Sequence, residues 1–87
     1  MNEDLMITRG RYLTLQEEYK IKKVEFHSQQ DFLKKLLMFV DHAGIDDSKS
    51  AEYLQSSKIV ICKMIELQST LSGLNDEISK LKPMTGL

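Results

Sequence analysis

Few side chains in this 87-residue chain have types and spacings that could do chemistry. His27 and His42 lie on what reads as one helix, about 22 Å apart along its axis, so they cannot share a ligand within one chain. His27 reads as a solvated surface residue. Asp41, His42, Asp46 and Asp47 form the one place where metal ligands could converge, but their spacing matches neither a zinc motif nor a calcium loop. Helix capping accounts for Asp46 and Asp47, and a helix C-terminus favours a cation such as His42. Cys62 is the single cysteine, which rules out an intramolecular disulfide. With only Lys58 and Lys63 nearby to activate it, it reads as a small buried hydrophobe rather than a nucleophile. A glycine-rich phosphate loop, a paired-cysteine ligand set and a nucleophile elbow are all missing from the sequence. The expectation is a protein that is not an enzyme, with no cofactor and no metal site.

What the sequence does specify is helices. Leu5, Tyr12, Tyr19, Phe26, Leu33 and Val40 recur every seven residues, and so do Tyr53, Val60, Leu67, Leu74 and Leu81. A strict heptad keeps its members on one seam of an α-helix and suits a partner helix wound around it. Residues 11–43 contain no Gly or Pro and are mostly good helix formers. Gly44 sits where a left-handed residue ends a helix, with Ile45 after it as a candidate hydrophobic contact back onto that helix. Asp46, Asp47 and Ser48 follow as N-cap candidates.

This spacing predicts a first helix over about 3–43, starting early despite Gly10, and a turn over 44–48. A second helix is predicted over about 49–81, stopping before Pro83 because a residue preceding proline is biased away from helix. Residues 83–87 are expected to form a loose tail. Gly73 falls inside the second helix, where it costs about 1 kcal/mol relative to Ala.

Folding back antiparallel about the turn sets Tyr12 against Leu81, Leu15 against Ile78, Tyr19 against Leu74, Phe26 against Leu67, Leu33 against Val60 and Val40 against Tyr53. The layers between them pair Lys22 with Leu71, Gln29 with Met64 and Leu36 with Ser57. One choice of turn brings both heptads into register, and agreement across levels is stronger evidence than either heptad alone. Lys22 is expected to lay its methylenes along the seam and send its ammonium to water, near Glu18 and Glu25.

A two-helix hairpin of this size buries too little surface to be stable without help. Phe32, Leu37, Met38 and Phe39 flank or oppose the seam of the first helix, and Ile59, Cys62 and Ile65 fall on the far side of the second. The turn-proximal half is therefore apolar nearly all round, which marks a surface buried on more than one side. The expected fold is all-α: a single-domain, coiled-coil-like antiparallel two-helix hairpin that completes a four-helix bundle with itself or with another helical protein. The expected role is protein–protein interaction, as an assembly subunit, adaptor or small helical chaperone.

The alternative is a hairpin-dimer regulator that binds nucleic acid through Lys20, Lys23, Lys34 and Lys35. Its only local support is the Lys20–Lys22–Lys23 cluster, which Glu17, Glu18, Glu25 and Asp31 dilute. The formal net charge is −1, and residues 1–42 carry seven basic and seven acidic residues. Neither half has the basic stripe that nucleic acid or anionic lipid recognition requires, so nucleic acid is not the expected partner. The longest apolar run, Leu36 to Val40, is far short of a bilayer span, and no secretory signal is evident. A cytoplasmic location is expected, with signal-independent export as the other route compatible with the sequence.

Overall fold

The computed structural model describes residues 2–86, together with the side chains of 3–86. Two helices, α1 (Asn2–Ala43) and α2 (Ser48–Thr85), pack against each other as a hairpin, and there is no strand among the described residues. The hairpin is a rod. Its Cα atoms span 67 × 14 × 14 Å with a radius of gyration of 19.3 Å, where a compact domain of this length has about 12 Å.

Burial follows the heptads from Tyr12 onward, whereas Leu5, the first member of the run, is exposed. Tyr12, Leu15, Leu36 and Val60 are buried. Tyr19, Phe26, Leu33, Val40, Tyr53, Met64, Leu67, Leu71, Leu74, Ile78 and Leu81 are half-buried. The polar members of the seam are accommodated locally. Ser57 is buried and its hydroxyl donates to the Tyr53 carbonyl at 2.7 Å, so it leaves no buried group unsatisfied. Lys22 is half-buried and its Nζ lies 3.4 Å from Glu25, with the stem along the seam and the ammonium at its edge.

The turn carries its own hydrogen bonds. Gly44 adopts φ +91°, a conformation costly for any residue with a Cβ, and its N–H donates to the Val40 carbonyl at 3.0 Å. That single bond is the simpler left-handed cap. Ile45 does not fold back on α1 as the sequence suggests; it is 93% exposed at the apex of the turn. Asp47 has extended backbone, and its carboxylate accepts from the Lys49 N–H at 2.8 Å, making it the N-cap of α2. The hydroxyl of fully buried Ser50 donates to the Gly44 carbonyl, locking the start of α2 onto the end of α1.

The far end differs from the sequence expectation. Helix α2 does not stop before Pro83; it continues through it to Thr85 and is capped by Gly86 at φ +72°. Proline removes one N–H and disturbs the carbonyl one turn back, but in the last turn only one helical bond is at stake. Tertiary contacts offset that loss. Thr85 continues the seam spacing beyond Ile78 and Leu81 and is fully buried. Its carbonyl accepts from Arg9 Nε at 2.8 Å, and its hydroxyl donates to the Lys82 carbonyl at 2.7 Å. Because α1 starts as early as Asn2, its first turns need a partner, and the extra turn of α2 supplies it. Leu87, the last residue of the expected tail, lies outside the described residues.

Candidate functional site

The side chains capable of chemistry do not converge. His27 is exposed, with Nδ1 3.3 Å from Gln30 Oε1 and its ring edge-on to Phe26 at 6.0 Å. His42 is exposed near the turn, and Asp47 is used as a cap. Cys62 is exposed on α2 rather than buried as its residue type suggests, because its heptad position points away from α1. Among the described residues no three His, Cys, Asp or Glu side chains gather closely enough to hold a metal ion. None of the helices described is long and apolar enough to cross a membrane.

The surface itself is the candidate site. A hairpin has two flanks, one on each side of its seam. Positions 11, 18, 25, 32 and 39 of α1 border one flank with positions 56, 63, 70, 77 and 84 of α2. The bridge from Arg11 to Glu77, at 3.7 Å, crosses that flank. Both groups are well exposed, so the bridge contributes little to stability. Positions 9, 16, 23, 30 and 37 border the other flank with 54, 61, 68, 75 and 82.

The seven residues expected to form one partner face are divided by this geometry. Phe32, Phe39 and Ile59 belong to the first flank. Leu37 and Ile65 belong to the second. Met38 and Cys62 lie on the backs of their helices. All seven are exposed. Phe39 also serves the hairpin itself, since its ring packs against Tyr53 at 5.4 Å and a tilt of 43°. Phe32 and Ile59 line a groove with Gln29, Ser56, Val60 and Lys63. This aromatic flank continues away from the turn as an open depression whose charges alternate: Lys22, Glu25, Lys63 and Glu66.

Sequence reasoning missed Leu54 and Ile61, which are exposed on the second flank beside Leu37. Their signal was present, because each follows a seam residue (Tyr53 and Val60) and they are one heptad apart. It also left the lysines unsorted by side. Lys20, Lys23 and Lys34 share the second flank, whereas Lys35 sits on the first. Glu18 and Glu25 border the first flank; Glu17 and Asp31 lie on the back of α1, three residues from Lys20 and Lys34, and make no ion pair with them among the described residues.

The rod exposes 6749 Å², against about 5,300 Å² for a compact monomer of the same mass. Sixteen large apolar side chains among the described residues are exposed and only four are buried, so part of the excess area of about 1,500 Å² is apolar. No known protein family, no curated protein and no solved structure matches the chain.

Proposed function

We propose that this chain is a non-enzymatic protein-interaction module, an assembly subunit or adaptor, whose hairpin pairs with a second hairpin into a four-helix bundle. The observation that carries the reading is the excess exposed surface, concentrated as large apolar side chains around the turn-proximal half of the rod. A standard interface removes about 800 Å² per partner, which the excess is large enough to supply. The aromatic flank is the face best suited to meet a second copy. Phe32 and Ile59 provide apolar anchors, and Lys22, Glu25, Lys63 and Glu66 balance in charge, so the flank can face itself without net repulsion.

The test is the solution mass of the chain and of Phe32→Asp, by sedimentation equilibrium. The wild type should show a multiple of the 10.1-kDa chain mass, and Phe32→Asp should show a single chain because a carboxylate would be buried unpaired. A monomeric wild type that remains fully helical would refute the reading.

A further inference from the structure

The second flank has a charge character that counting along the sequence conceals. Arg9, Lys20, Lys23, Lys34, Lys58 and Lys82 all fall on it, and Asp41 is the one carboxylate on it among the described residues. Both ion pairs among the described residues, Arg11–Glu77 and Lys22–Glu25, engage residues that border the first flank. Arg9 donates to the Thr85 carbonyl, but none of the six cations has a carboxylate in ion-pair range among the described residues. A protein of net charge −1 thus carries one strongly cationic side, extending from Arg9 to Lys34 over about 38 Å of helix.

Near the turn the flank is apolar beside the seam. Heptad phase sets Leu37 of α1 and Leu54 and Ile61 of α2 next to the seam, and all three are exposed. Lys34 and Lys58 fall one position further out, on opposite helices. Because Leu33 is level with Val60 in the hairpin register, Lys34 and Lys58 are level to within about one residue rise. Ile65, one heptad beyond Lys58, extends the exposed apolar stretch along α2. The stretch is about 16 Å long, three helical turns. An apolar stripe with a cation on either side at the same height is complementary to one kind of object: a helix with an apolar stripe and carboxylates on both sides of it.

We infer that this flank binds an acidic amphipathic helix of another protein, with the apolar stripe on Leu37, Leu54 and Ile61 and the carboxylates toward Lys34 and Lys58. A second copy of the chain is a poor occupant in a face-to-face arrangement, since that would oppose six cations to six. Nucleic acid is also disfavoured. The rod is 14 Å wide between Cα atoms alone, wider than the roughly 12 Å major groove. Bases would also find little to stack on, because Phe32 and Phe39 lie on the other flank and the tyrosines are in the seam, which leaves His27 as the one exposed ring on this flank among the described residues. The inference deepens the interaction-module reading but does not depend on self-association through the aromatic flank.

The experiment measures binding of a labelled synthetic helix of about five turns, with leucine on one stripe and glutamate on both sides, by fluorescence anisotropy. A scrambled isomer, a lysine-for-glutamate version, phosphatidylserine–phosphatidylcholine vesicles and a short DNA duplex are compared on the same protein. The glutamate helix should bind, the scrambled and lysine versions should not, and the double variant Lys34→Glu/Lys58→Glu should weaken binding by about tenfold or more. Equal binding by the variant or by the scrambled peptide overturns the inference, as does no binding at all. Tighter binding to vesicles or to duplex than to the peptide overturns it in favour of lipid or nucleic acid. A fall in solution mass on introducing the double variant overturns it in favour of a second copy. Both lysines are exposed, so the variant should keep its helicity; Lys34→Gln/Lys58→Gln provides a milder charge removal with the same expected direction. Phe32→Asp should leave peptide binding intact, which separates failure of this inference from failure of the self-association reading.

Discussion

Single residues show where this chain stores unused stability. Gly73 lies inside α2, and a Cβ built on it meets nothing within 4 Å. Gly73→Ala should therefore stabilise the protein by about 1 kcal/mol through helix propensity alone, raising the melting temperature by about 4–8 °C in a circular dichroism melt. No rise would mean that the position is already constrained by contact with a partner. Gly44 is the opposite case: its φ of +91° makes any side chain strained although space is open around it. The cap and turn residues were legible from the sequence because local rules govern them: Gly44 ends α1, and the Asp46–Asp47–Ser48 cluster holds the N-cap. Ile45 was not, because whether an apolar residue folds back on a cap or projects from a turn depends on backbone geometry beyond its own identity. Cys62 follows its heptad position, which put it on the far side of α2, rather than its residue-type preference for burial.

At the scale of elements, both helices were legible from their heptads, and the seam follows the spacing of Tyr12 through Val40 and Tyr53 through Leu81. Leu67→Asp would set a carboxylate against the Phe26 layer in the middle of that seam. It should cost about 3 kcal/mol or more, seen as loss of helical ellipticity at room temperature; a fully helical Leu67→Asp protein would mean that the register is wrong. The end of α2 was not legible. Local preference before Pro83 argues for a stop, whereas the structure continues because Thr85 and Arg9 hold the last turn to the start of α1. That contact joins residues 76 positions apart in the chain, and no local rule anticipates it. Arg9→Ala should accordingly speed amide hydrogen exchange at Met84, Thr85 and Gly86 while leaving the middle of α2 protected. Unchanged exchange there would show that the helix end stands without Arg9.

The whole molecule is where linear reading loses most. Basic and acidic residues nearly balance within each half of the chain, yet folding sorts Arg9, Lys20, Lys23, Lys34, Lys58 and Lys82 to one side. Charge sidedness in a hairpin is set by heptad phase rather than by position along the sequence, so a tally by halves cannot register it. The expected partner face was similarly only half legible: its residues were identified as exposed and apolar, but seam phase divides them between two flanks of different chemistry and the backs of the helices. One flank is aromatic and balanced in charge, the other aliphatic and cationic, and the two together would let a self-associated core present a separate docking edge. The central claim is that the hairpin draws its stability from association. It is tested most directly by following thermal unfolding over a roughly hundredfold range of protein concentration. A chain stabilised by a second copy should gain roughly 5–8 °C in its midpoint across that range, and Phe32→Asp should abolish the dependence. A wild-type midpoint that stays constant with concentration would contradict the claim, because the hairpin would then be stable alone with its aromatic flank open to water.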